Sequence, residues 1–206
     1  MTEPKADLKR TLDAYQARRH EIRDLEVAAA RYLMIDGHGD PNVEPSFQEA
    51  IEALFPVAYK AKFASKRELG RDYVVMPLEG LWSAADPTSF TTRRDKSAWD
   101  WTLMILQPDW VDDALLERAI GAAGVKGAPA RLGDVRVEEL AEGRCLQTLH
   151  VGSFDAEGPA LARVHAQIEE AGLRMTGRHH EIYLSDFRKV APERLRTLLR
   201  QPVGPA

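Results

Sequence analysis

The segment His179-His180-Glu181-Ile182-Tyr183-Leu184 sets a carboxylate two residues from a phenol and two from an imidazole. Side chains alternate across an extended strand, so His179, Glu181 and Tyr183 share one face and His180, Ile182 and Leu184 the other. Ile182 and Leu184 are expected to pack against helices, which leaves Glu181 and Tyr183 on the open side. A carboxylate held among aromatic rings there either meets a cation or takes a proton as a general base. An apolar surround disfavours its charged form and lifts its pKa toward working pH. The plain alternative is a solvated glutamate at a sheet edge.

Aromatic residues are the second feature with chemical use. Trp82, Trp99 and Trp101 fall in two neighbouring strand-like runs, and Trp99 and Trp101 share a face by the period of two. They line a slot for a planar ligand or a cage for a cation, or else they fill a core; Trp110, just past Pro108, reads as packing. Tyr73 and Glu79 have equal parity unless Pro77 and Gly80 bulge the strand. Glu79 is then either the counterpart of Glu181 or a solvent-facing side chain. His150 either donates to a ligand oxygen or is a satisfied structural histidine. No metal site is expected: His179 and His180 are adjacent on a strand and point apart, and His38 and Asp40 have no identifiable partners. Cys145 stands in an apolar run with His150 on the opposite face, so it reads as a buried structural thiol and not a nucleophile.

Several elements must position these residues. Residues 6–30 read as a polar helical arm with a thin stripe of Leu8, Leu12, Tyr15, Ile22 and Leu25. The run 31–36 reads as a strand stopped by the Gly37–Asn42 turn cluster. Ser46 with Glu49 forms a capping box for a helix that ends near Pro56, with a further turn or two at 59–65. Strand-like runs follow at 71–81 and 97–107, joined by a loop over 84–96, and then a helix at 112–122 and a Gly/Pro/Ala loop at 126–131. Strands at 135–139 and 145–151, a helix at 158–171, a strand at 179–184 and a terminal helix at 192–200 complete the chain. Strand, Gly/Asp turn, helix and strand thus occur twice. Two such halves, residues 31–110 and 135–203, would pack as an α+β domain with one antiparallel sheet, helices on one face and a ligand groove on the other.

The chain has 206 residues, 44% hydrophobic and 29% charged, with 28 basic and 32 acidic side chains and a net charge of −4. That composition closes a core. The scattered basic residues make no stripe for nucleic acid; those at 16–20 are interleaved with Glu21, Asp24 and Glu26. A single cysteine excludes an internal disulfide and a multi-cysteine zinc site. The polar start and the lack of a long apolar run are expected for a cytoplasmic protein without membrane attachment, acting as a monomer or homodimer.

Four motifs in order carry a family resemblance: YLMIDGHGDPN at 32–42, YVVMPLEGLW at 73–82, HVGSFD at 150–155 and HHEIYLSD at 179–186, closed by PERLRTLLRQPV at 192–203. The set resembles stand-alone GyrI-like proteins over residues 31–206, with residues 1–30 as an arm outside that domain. The resemblance implies the duplicated β-α-β-β, SHS2-like fold, no cofactor, and a small hydrophobic or aromatic molecule as the partner. Related domains sense cationic drugs through an acidic residue in an aromatic pocket. Some stand-alone members resemble hydrolases that open the cyclopropane of duocarmycin-type antibiotics. Glu181 and Tyr183 would then be catalytic, with Trp82, Trp99, Trp101, Tyr73, Glu79 and His150 binding the ligand. Alternatives are non-catalytic binding of hydrophobic cations and a gyrase-inhibitor-like interaction with another protein. The sequence departs from the pattern at Ser83, where a second aromatic is common, and at Phe154, where tyrosine is frequent. No helix-turn-helix precedes the domain, so a DNA-binding regulator is not expected.

Overall fold

The computed structural model describes residues 4–86, 95–125 and 127–206. Residues 87–94 of the expected loop and Lys126 lie outside the described residues. In chain order the elements are the single turn α1 (Leu8–Thr11), β1 (Ile22–Val27), β2 (Ala30–His38), α2 (Pro45–Ala64), β3 (Glu79–Ala84), β4 (Trp99–Leu106), α3 (Asp113–Ala123), β5 (Arg136–Leu140), β6 (Gly143–Val151), α4 (Gly158–Glu170), β7 (Leu173–Met175), β8 (His179–Tyr183) and β9 (Arg196–Pro205). Strand pairing is antiparallel, and the α+β class read from the sequence holds. Two compact units are formed. One takes Met1–Thr11, Ala30–Met76 and Ser83–Leu140; the other takes Leu12–Ala29, Pro77–Trp82 and Ala141–Ala206.

In the first unit β2 pairs with β4 along one edge and with β5 along the other. The central runs of β2 and β4 are apolar on both faces, and Leu33, Ile35, Leu103, Met104 and Ile105 are wholly buried. Helix α2 packs on β2, β4 and α3. It begins after Glu44 with Pro45 in its first turn, not at Ser46, and no side chain caps it. It also runs through Pro56 to Ala64, where the sequence suggested a stop. An interior proline removes a rung and costs about 3 kcal/mol; a face of Phe47, Ala50, Ile51, Leu54, Val57 and Ala61 is buried along the same helix and outweighs that loss. Strand β2 extends through Gly37 to His38, past the expected turn, because Gly37 lies opposite Trp101 in β4 and a Cβ there would fall inside the indole ring. The turn itself comes at Gly39, with φ +97°.

The second unit contains strands in the order β1-β6-β9-β8-β3, with β7 added to β9. Its first segment is the largest departure from the sequence reading. Residues 6–30 are not a helical arm: after one turn of α-helix and one of 3-10 helix, Ile22–Val27 pairs with β6. Leu25 and Val27 are buried beside Cys145, a period-two pattern that coincides over a few residues with helical spacing. The expected terminal helix is likewise a strand, β9, with only Pro192–Arg194 helical. It pairs with both β6 and β8, and Thr197 through Val203 are buried on both faces, polar Thr197, Arg200 and Gln201 included, so no polar–apolar alternation betrays it. The expected strand at 71–81 is confined to its end, Glu79 onward. Pro77, which has no N–H for a ladder, precedes it, and Tyr73 makes only an isolated bridge to Ala6. The α4 face of this sheet holds Leu146 and Val203 against Val164 and Ile168. Among the described residues no helix is long and apolar enough to cross a membrane.

Candidate active site

The register of β8 distributes its side chains to two chemically different faces. Glu181 pairs with Gly80 of β3 and with Leu199 of β9; His180 pairs with Leu81 and Arg200. Following Leu199 across to Thr148 and then two residues along to Leu146 places Glu181 and Tyr183 on the face that carries α4. His180 and Ile182 face the segment that contains Tyr15. The alternation inferred from sequence is therefore correct, whereas the helix lies on the side of Glu181 and not on that of Ile182.

On the α4 face, the Tyr183 hydroxyl donates to Glu181 Oε2 at 2.9 Å and accepts from Trp82 Nε1 at 3.2 Å. Indole, phenol and carboxylate form a directed chain in which each polar atom orients the next. Gly80 makes room for it: a Cβ at that position would stand 2.9 Å from both the Trp82 nitrogen and the Tyr183 oxygen. His179 Nε2 lies 3.6 Å from Glu181 Oε1, too far for a hydrogen bond but near enough to interact. The Glu181 side chain is 14% exposed, so solvent reaches it. Phe154, Tyr183 and Phe187 meet edge to face with centroids 5.6–5.8 Å apart, and Phe154 is 37% exposed. Burial, followed by the Glu181 charge, pushes the Tyr183 phenol well above its ordinary pKa and keeps its proton in place.

Glu157, which the sequence reading passed over, is the second carboxyl here. It ends the 3-10 turn Phe154–Ala156 and immediately precedes α4. It is 5% exposed, and its Oε1 is buried without a hydrogen-bond partner. Burial, then the charges of Glu181 and Asp155, raises its pKa well above the usual carboxylate range. Nothing in the local sequence marks it, because an acidic residue before a Gly-Pro helix start is ordinarily solvated.

Glu79 is neither a groove residue nor solvent-facing. It is fully buried on the other face, where it accepts from Tyr15 Oη at 2.5 Å and from His180 Nε2 at 3.0 Å. His180 Nδ1 donates to Glu142 Oε1 at 3.0 Å, and Arg200 donates to Glu142 Oε2, Gln147 Oε1 and the Ala14 carbonyl. Burial opposes charge on His180, yet the Glu142 charge and the bonds to Glu142 and Glu79 prevail and raise its pKa. Burial likewise opposes charge on Glu142, but His180 and Arg200 hold it down at about 2. This network is a structural clamp. It joins the segment before β1 to β3, β8 and β9.

Of the remaining expected site residues, His150, Trp101 and Tyr73 are buried and Trp99 is half-buried. His150 donates from Nε2 to the Ser153 carbonyl at 3.0 Å and closes the turn before α4. Trp101 is 1% exposed, set against Gly37 and edge-on to Phe47 at 5.1 Å. Tyr73 is 1% exposed and edge-on to Trp110, whose ring also carries the Arg71 guanidinium. Trp99 is half-buried, with Lys96 Nζ 5.7 Å from its ring centroid. Cys145 is wholly buried, and its thiol is pushed up to about 12, mainly by burial. The structure thus brings together Trp82, Glu181 and Tyr183, adds Glu157, Phe154 and Phe187, and sets Glu79 on the opposite face, whereas His150 shares the Tyr183 face across β9 with its ring bonded to Ser153.

Comparison with known proteins bears on the family of the chain. Residues 20–203 match the model of the GyrI-like small molecule binding domain. A crystal structure of an uncharacterized conserved protein from Listeria innocua is similar at 36% identity and a TM-score of 0.88, over 97% of this chain and all of that one. Two structures described as hydrolases from Listeria innocua are 35% identical, with TM-scores of 0.83 and 0.85, over 97% and 98% of this chain and the whole of each of theirs. No curated protein matches the chain.

Proposed function

The chain belongs to the family of GyrI-like small-molecule-binding domains, and from that premise we propose that it hydrolyses cyclopropane-bearing aromatic xenobiotics of the duocarmycin type. The observation that carries this reading is the chain Trp82–Tyr183–Glu181, which ends in a partly exposed carboxylate beside aromatic rings. The likeness to Listeria proteins described as hydrolases supports catalysis in general terms. In the proposed reaction a water attacks the methylene carbon of the strained ring, and Glu181 Oε1, the oxygen not engaged by Tyr183, takes its proton. The cyclopropane C–C bond breaks, its electrons pass into the conjugated dienone, and the former carbonyl oxygen becomes a phenolate. Phe154 and Phe187 would hold the planar ring system by edge and face contacts, and so fix the line of attack. Tyr183 holds the carboxylate in orientation and is itself held by Trp82.

The test is a time course with substoichiometric protein and a cyclopropane-bearing duocarmycin-type compound, followed by mass for the gain of one water. Multiple turnovers are expected, and Glu181→Gln should lower the rate by roughly 10²–10⁴-fold, the usual worth of a general base. Full activity in that variant would remove Glu181 from the mechanism. A second reading, storage or sensing of hydrophobic cations, is favoured by the negative charge of Glu181 and Asp155 beside the rings. It predicts saturable tryptophan quenching by a lipophilic cation and no consumption of excess ligand.

A further inference from the structure

Ring opening needs two proton movements, and Glu181 accounts for one. Water must lose a proton, while the oxygen of the opening dienone must gain one or leave as a phenolate in a site that already holds carboxylates. Glu157 is placed and built for the second movement. It is 5% exposed and Oε1 has no hydrogen-bond partner, so a carboxylate there would be both desolvated and unpaired. The turn that ends at Glu157 begins with Phe154, whose ring packs on Tyr183 at 5.6 Å, and Tyr183 in turn donates to Glu181. The charges that act on Glu157 come from Glu181 on β8 and Asp155 in its own turn, and both are negative. Tyr183 keeps its proton, His179 on β8 has its Nε2 3.6 Å from Glu181 Oε1, and His165 on α4 feels His179. Two carboxyls in one site, one of them buried with an oxygen that has no hydrogen-bond partner, cannot both ionise at low cost, so Glu157 keeps a proton.

Resting on the hydrolase reading above, we propose that Glu157 is the proton donor of the site, delivering its proton to the substrate oxygen as Glu181 withdraws one from water. The balance closes. The water oxygen bonds to the methylene carbon, one water proton goes to Glu181, and the cyclopropane bond pair moves into the ring. The carbonyl oxygen takes the Glu157 proton and leaves as a neutral phenol. The site then holds a protonated Glu181 and an ionised Glu157, and transfer of one proton between them, directly or through solvent, restores the starting state. The arrangement is selective as well as catalytic: it favours substrates whose opened form is a basic oxygen that must be protonated.

The proposal is tested with Glu157→Gln, which keeps the shape and removes the acid. Against a series of cyclopropane dienones differing in the acidity of the phenol they release, the variant should lose about 10²-fold in kcat/KM for the most basic oxygen and progressively less for more acidic phenols. The wild-type rate should fall as pH rises through the raised pKa of Glu157, and that alkaline limb should vanish in the variant. Infrared spectroscopy of the wild type near neutral pH should show the carbonyl stretch of a protonated carboxyl, absent from Glu157→Gln. A uniform loss across the substrate series, or a wild type without the protonated-carboxyl band, would overturn the donor role. If Glu157→Gln matched the wild type in rate and pH profile while Glu181→Gln was inactive, the donor role would fail and the hydrolase reading would stand. A wild type with the infrared band but no turnover of any compound would overturn the hydrolase reading, and with it donation to substrate.

Discussion

At the scale of single residues, the site depends on one hydroxyl with two duties. Tyr183 accepts from Trp82 and donates to Glu181, so it fixes the carboxylate without competing for its second oxygen. Its raised pKa means the donation persists through the working pH range. Tyr183→Phe should therefore keep substrate binding and lower kcat by about 10-fold, since an oriented carboxylate becomes a rotating one. The loss should appear in kcat and spare KM, as steady-state kinetics would show. Glu181 and Tyr183 were legible from sequence because they share strand parity within HHEIYL. Glu157 was not, since its significance comes wholly from burial under residues distant in the chain. Glu79 was misplaced for a related reason: Pro77 and the late start of β3 set its face, and only cross-strand register with Ile182 reveals it.

At the scale of elements, the β3–β8 pair positions the chemistry, and Gly80 is its tightest point. Any side chain there meets the Trp82 nitrogen and the Tyr183 oxygen at 2.9 Å. Gly80→Ala should push these groups apart and destabilise the protein by about 1–3 kcal/mol through overpacking. Activity should fall further than the lost stability explains, when assayed well below the melting temperature. Strands with clear ends or flanking turns were readable: β4, β6 and β8, and the helices α3 and α4, lie within two residues of their expected limits. The failures, β1 and β9, share a cause. Neither strand alternates clearly enough to exclude a helix, β1 because it is short and β9 because both its faces are buried, and the decision falls to their neighbours β6 and β8.

At the scale of the whole molecule, the buried clamp of Tyr15, Glu79, His180, Glu142 and Arg200 couples the stability of the second unit to pH. Glu142 is held at about 2, below its unfolded value, so its contribution is present above pH ~4.5 and is lost as pH falls toward 2. His180 has the opposite sign. Its folded pKa is raised, so its contribution is present below about pH 6.5 and is lost as pH rises through the folded value. Urea unfolding across pH 2–9 should show both declines. Glu142→Gln should be destabilised by about 3–5 kcal/mol near neutral pH, because Arg200 and His180 lose their counter-charge. Its acid decline should be shallower by about one proton's worth of slope.

The strand order of the second unit has a consequence for how the protein is made. Strand β9 (Arg196–Pro205), which stands between β6 and β8, also follows every other element in chain order. Until it emerges, β1 and β6 have no strand pairing that leads to β8 and β3, and Glu181 lacks its neighbour Leu199. The first unit draws on nothing beyond Leu140 and is complete in sequence well before that. Biogenesis is thereby ordered: a nascent chain stalled before Arg196 holds one finished half and an unsealed sheet. Exposed strand edges of that kind are what chaperones and proteases recognise.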